Sequence, residues 1–160
     1  EWKYTVSSRK SNIQHFYTFV SPRLRSVHPK NFIRISTDVA SEQGIRSGDK
    51  VKVTTPYGAQ VGEAFVTDGV ASGVISIEHG FGHDEFGIRT HIVDGKPAFG
   101  IANLEKGVKL IVDQNFSQKG VNHNKLGLLD PKRNGEFSLN DWLVGTCARQ
   151  ALPAKIRKIG

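Results

Sequence analysis

The stretch from Phe32 to Ile77 constrains this chain more than any other. Glycines at positions 44, 48, 58, 62, 69 and 73 punctuate it and leave runs too short for long helices. Within the runs, apolar and polar residues alternate. Lys50-Val51-Lys52-Val53-Thr54 does so most cleanly, with the period of a strand that buries one face. The pattern predicts strands over 32–35, 50–55, 60–67 and 74–78, the third with Val61 and Phe65 on one face. After the first strand, Ser36 is placed to cap a short helical turn with its hydroxyl. Asp38 falls in that turn's first residues, where negative charge suits the helix dipole, and Gly44 closes it. Ile45 then packs back. Ser47-Gly48-Asp49, Pro56-Tyr57-Gly58 and Ala71-Ser72-Gly73 read as tight turns, the second joining a hairpin.

Beyond residue 78 the pattern loosens. His79-Gly80-Phe81-Gly82-His83 is a glycine- and histidine-rich loop, and residues 84–119 read as irregular, with a turn at Asp94-Gly95. Asp130-Pro131-Lys132-Arg133-Asn134-Gly135 is a further turn. Two strand-like pieces, Trp142–Ala148 and Ala154–Ile159, close the chain. Many short strands, one short helix and glycine turns describe a mainly β domain, a small closed barrel over residues 1–160. Its 38% hydrophobic and 23% charged content suits a globular domain. No run of about 18 apolar residues occurs, so no helical membrane span or direct membrane insertion is expected. A chain that starts at Glu1 and holds no methionine reads as a processed product or a piece of a longer protein.

The net charge of +7 favours anionic partners. Its densest groups are Arg23, Arg25, His28, Lys30 and Arg34, and then Lys155, Arg157 and Lys158; a solvated surface explains either equally well. A nucleic-acid-binding barrel would need exposed aromatics among these cations. Phe16, Tyr17 and Phe19 lie near Arg23 and Arg25, but they also read as core. The single cysteine, Cys147, in an apolar setting, reads as a buried thiol; alone it excludes an internal disulfide and an iron–sulfur cluster held by this chain. His79 and His83 have the spacing of metal ligands on a helix, but Gly80 and Gly82 argue against a helix there. A glycine-lined loop that lets backbone approach a ligand is the better reading, and no metal ligand is assigned. No nucleophile–base motif appears, so no catalytic residue is assigned and the isolated chain is expected to lack redox activity.

The segment Ile35-Ser36-Thr37-Asp38-Val39-Ala40, followed by Gly44-Ile45 and Gly48-Asp49-Lys50-Val51-Lys52-Val53, resembles a known signature. It is similar to that of the C-terminal molybdopterin-dinucleotide-binding domain of the dimethyl-sulfoxide-reductase superfamily. Gly58, Val66-Thr67 and Ser72-Gly73-Val74-Ile75 follow in the family's order, and Gly120–Leu126 and Asp130-Pro131 resemble its later elements. Val39 and Thr37 depart from the usual Asp and Pro. The loop at 79–83 resembles the branch that reduces sulfur oxyanions and arsenate, with the tetrathionate reductases the best fit.

The resemblance implies a six-stranded double-psi β-barrel that binds part of a bis-molybdopterin guanine dinucleotide cofactor. The molybdenum ligand and iron–sulfur cysteines would come from other domains of the parent protein. It further implies two partners, an iron–sulfur subunit plus a membrane-anchor subunit, with a periplasmic or outward-facing location and a role in anaerobic respiration; no nucleic acid is implied. By the same resemblance, Ser8 and Arg9 in the polar segment Ser7–Ser11, and His15, would reach the cofactor. So would His79, Gly80, Phe81 and Gly82, and a third group of Asn122, Asn124 and Lys125, whose amides match the donor–acceptor edge of a pterin. Plain turn chemistry is the competing explanation for Asn122 and Asn124. The Gly-Ile-x-x-Gly-Asp-x-Val-x-Val run also suits the barrel of some AAA ATPase N-terminal domains, which lack the elements at 79–83 and around Asn124.

Overall fold

A computed structural model of the chain describes residues 1–13, 18, 21–82, 90–93, 96–98, 109–111, 120–127, 141, 143–146 and 150–160. Its centre is a closed barrel of six strands: β1 (Tyr4–Arg9), β2 (Ile33–Ile35), β3 (Lys50–Thr55), β4 (Gly58–Val66), β5 (Val74–Glu78) and β9 (Leu152–Lys158). Their order around the barrel is β1-β5-β2-β4-β3-β9, and β9 closes onto β1. Two neighbouring pairs, β1/β5 and β2/β4, run parallel, and the other four are antiparallel. A closed six-strand barrel of this mixed pairing agrees with the expected double-psi fold. Three more strands, β6 (Thr90–Val93), β7 (Lys96–Ala98) and β8 (Lys109–Ile111), form a separate sheet in the order β7-β6-β8 within the region expected to be irregular.

The alternation drives the packing as expected in β3, where Val51, Val53 and Thr55 turn inward. Ile33 and Ile35 of β2, Ile75 and Ile77 of β5, and Val6 of β1 join them in the core, each without exposed surface. In β4 the apolar face does not point inward: Val61 and Phe65 do share a face, but it is the solvent face, at 41% and 40% exposed. The inward face of β4 carries Ala64 and Gly62, and a Cβ at Gly62 would collide with the side chain of Val121. Small residues there leave room for an element that enters the barrel from outside its wall.

Of the two α-helices among the described residues, α2 (Thr37–Gln43) follows the expected capping plan at one end only. Gly44 closes it in the left-handed region at φ 61°, with Ile45 buried beneath. Ser36 occupies the N-cap position, but its hydroxyl makes no capping bond. Asp38 instead accepts from the Ser72 hydroxyl, and hydrogen bonds from hydroxyl and backbone N–H groups hold its carboxyl below the usual range. Helix α1 (Pro22–Val27) lies in a stretch where the sequence pattern predicts none; Ser21 caps it, accepting from Leu24 N.

Two further expectations are corrected. The polar segment Ser7–Ser11, where the sequence pattern predicts no strand, begins inside one: β1 runs through Arg9, paired in parallel with β5. The strand expected over Trp142–Ala148 does not form at its described residues, because Leu143 and Val144 sit in a turn, 95% and 73% exposed. His15, His83, Cys147 and the turns at Asp94-Gly95 and Asp130–Gly135 lie outside the described residues.

Candidate functional site

The barrel topology gathers the candidate residues at one end. The carboxyl ends of β1, β3 and β5 and the amino ends of β2, β4 and β9 share one rim. Arg9 ends β1 and Glu78 ends β5, in register with each other. The chain then leaves β5 through His79–Gly82, and His79 N donates to Arg9 O at 3.2 Å. Segment 120–127, with a short 3-10 turn at His123–Leu126, closes this same end. Thr55 Oγ1 donates to Leu126 O at 2.5 Å, and Gly58 lies so near Lys125 that a Cβ there would strike the Lys125 carbonyl. Val121 and Leu126 plug the core, both fully buried.

The described residues of the three candidate groups therefore meet on one rim. Gly82 touches the third group: at φ 65°, a Cβ on it would stand 2.5 Å from Asn122 N. Gly80, at φ 93°, also holds a conformation that only glycine adopts readily. The residue that joins these loops is not one that the sequence marks. Asn31, 1% exposed just before β2, donates from Nδ2 to Glu78 O (2.5 Å) and Val121 O (2.9 Å), and its Oδ1 accepts from Val121 N (2.6 Å). A lone Asn before a strand gives no sequence signal for such a role.

Glu78 organises the charge. Its carboxylate, 3% exposed, accepts from Arg9 Nη2 at 2.5 Å and from His28 Nε2 at 2.8 Å. Burial pushes its carboxyl up, but the His28 hydrogen bond and the Arg9 guanidinium outweigh burial and hold it below the ordinary carboxylate value. His28 in turn stands edge-on to Phe81, 5.0 Å between ring centres. Phe81 is thus a packing residue under the loop, 3% exposed. Arg9 Nε is buried with no hydrogen-bond partner among the described residues. Ser8 is held by Gln150, which accepts from Ser8 N (3.0 Å) and donates to the Ser8 hydroxyl (2.6 Å); Ser7 also donates to Gln150. Asn122 Oδ1 accepts from Asn124 N at 3.0 Å, so at Asn122 the turn-forming role is realised. Asn124 is half-buried and Lys125 exposed on the same turn.

The rim suits a large polyanionic ligand in three ways: a fixed guanidinium with a buried N–H that has no partner among the described residues; two glycines in left-handed conformation; and an amide-bearing turn. No group of three or more metal-ligating side chains occurs among the described residues. A separate groove of about 350 Å³ lies between Trp2, Lys52, Thr54, Lys155, Ile156 and Arg157 on β3, β9 and the N-terminus, and none of the candidate residues lines it.

Comparison with known proteins identifies the family and the fold. The family model described as "Molydopterin dinucleotide binding domain" matches residues 4–131. A tetrathionate reductase polypeptide of Salmonella typhimurium is 36% identical over 159 residues, which is 99% of this chain and 14% of that protein. Its counterpart in the tetrathionate reductase of Archaeoglobus fulgidus is 29% identical over 119 residues, 71% of this chain and 10% of that protein. Among solved structures, acetylene hydratase from Pelobacter acetylenicus superposes on 99% of this chain and 18% of its own, with a TM-score of 0.53 and 15% identity, which shows a shared fold. Neither the AAA ATPase reading nor the nucleic-acid reading gains support from these matches.

Proposed function

This chain belongs to the molybdopterin dinucleotide binding domain family, and on that premise we propose that its Arg9–Glu78–Asn124 rim binds part of a molybdopterin guanine dinucleotide within a larger catalytic subunit that reduces tetrathionate or a related sulfur oxyanion. The chain spans 14% of the length of the Salmonella relative, so activity and substrate belong to the whole protein. The observation that carries the proposal is the convergence of three sequence-distant segments, Ser8–Arg9, His79–Gly82 and Asn122–Lys125, on one end of the barrel.

When bound, the cofactor supplies the redox centre; the residues of this chain bind and orient it. Arg9, anchored by Glu78, offers a charge-assisted donor to a pyrophosphate. Gly80 and Gly82 let the loop backbone come close to the ligand, where a side chain would hold it away. Asn124 and Lys125 present an amide and a cation to its heterocyclic and phosphate groups. His15 completes the proposed set, while Ser8, His79 and Asn122 shape the rim. Phe81 supports the loop from beneath. The same proposal includes two partners, an iron–sulfur subunit plus a membrane-anchor subunit, and an outward-facing or periplasmic place in anaerobic respiration.

The test is Arg9→Ala and Asn124→Ala in the full-length protein, read as molybdenum and dinucleotide content per polypeptide beside the thermal midpoint. Each loss of a hydrogen bond to a charged or buried partner should weaken cofactor binding by about 1.5–3 kcal/mol. Arg9→Ala should also lower the midpoint, because it leaves Glu78 with His28 alone. Full cofactor content in both variants would reject the site.

A further inference from the structure

We propose that Asn31 is a positioning residue for the dinucleotide site: its buried amide fixes the loop after β5 against segment 120–127, so that the two present their ligand-facing groups in one register. The inference rests on the cofactor reading of the rim and adds a residue that no motif in the sequence marks. Asn31 is 1% exposed, so it acts through its neighbours and not by contact with the ligand.

The geometry is specific. The amide engages both the N–H and the C=O of Val121, as a neighbouring strand would, and reaches Glu78 O with its second hydrogen. An amide is the one uncharged side-chain group that offers two donors and an acceptor from a single plane. The backbone opposite is fitted to it. Gly120 lies at φ 93°, and a Cβ there would collide with Asn31 Oδ1. Glu78, whose carbonyl Asn31 holds, is also the residue that anchors Arg9, so one side chain links the guanidinium, the glycine loop and the Asn124 turn. Thr55 ties the far end of segment 120–127 through Leu126 O, which leaves Asn31 to set its near end.

The experiment compares Asn31→Asp and Asn31→Leu with Ile35→Ala in the full-length protein. Asp keeps the shape but turns a second acceptor toward two carbonyls, and Leu removes every hydrogen bond. Ile35 is equally buried but lies at the other end of β2. Dinucleotide release is followed by pterin fluorescence, and the midpoint is measured on cofactor-free protein. Both Asn31 variants should release dinucleotide about tenfold faster than Ile35→Ala at matched loss of midpoint. Gly120→Ala, which presses on the amide from the opposite side, should do the same and decides the matter if the Asn31 variants fail to fold. Equal release by Ile35→Ala at matched midpoint would reduce Asn31 to a structural residue and overturn the proposal. So would wild-type retention in the Asn31 variants while Arg9→Ala and Asn124→Ala lose cofactor. Retention in Arg9→Ala and Asn124→Ala as well would instead bring down the underlying site and this proposal with it.

Discussion

Glu78 concentrates the electrostatics of the rim in a single side chain. Its folded carboxyl lies below its ordinary value, so it stabilises the native state at pH above the usual carboxylate range, and that contribution is lost as pH falls through the lowered value. Glu78→Gln should therefore destabilise the chain by about 2–4 kcal/mol near neutral pH. The gap to wild type should narrow as pH is taken below about 4. Thermal unfolding across a pH series checks this, and a gap that stays constant into acid would contradict it. Two glycines with positive φ make a sharper comparison. Gly48, at φ 93°, has open space where a Cβ would go, so Gly48→Ala should cost only backbone strain, about 1–2 kcal/mol. Gly82→Ala adds a collision with Asn122 N and should cost clearly more while displacing segment 120–122. Differential scanning calorimetry of the pair measures the difference; equal losses would mean that the two loops are not in contact.

Elements whose pairing is local were legible in the sequence, and those defined by distant partners were not. The β3–β4 hairpin follows from alternation around Pro56-Tyr57-Gly58. Strand β1 was hidden because only Tyr4 and Val6 show an inward face, and its parallel partner β5 lies far along the chain. Leu143 and Val144 misled for the opposite reason: apolar residues in a row suggest a strand, yet these stand exposed in a turn. In β4 the apolar residues face outward because Val121 fills the space on the inner side. The candidate site divides in the same way. The glycine loop and the Asn-rich turn were marked by family resemblance, whereas Asn31, Glu78, His28 and Gln150 acquire roles only when the barrel closes. Thr55 connects hairpin and turn: its hydroxyl donates to Leu126 O and accepts from Tyr57 N and Gly58 N, each at 3.1 Å. Thr55→Val should cost about 1–3 kcal/mol in urea unfolding and speed amide exchange at Gly58. An unchanged exchange rate would show that the hydroxyl does not hold the turn.

At the scale of the whole molecule, one barrel end gathers segments that begin at Ser8 and end at Lys125. The opposite end, with Gly44, Gly48 and Gly73, carries none of the proposed contacts. A rim of this kind encloses only part of a large dinucleotide, so the isolated chain should bind it more weakly than about 1 μM by titration calorimetry. The most direct measurement is an electron cryomicroscopy structure of the full-length protein with its cofactor bound. Dinucleotide density is expected against Arg9, the Gly80–Gly82 backbone and Asn124, with Asn31 buried beneath. Density instead lodged in the groove between Trp2 and Lys155, or at the Gly44–Gly73 end of the barrel, would contradict it.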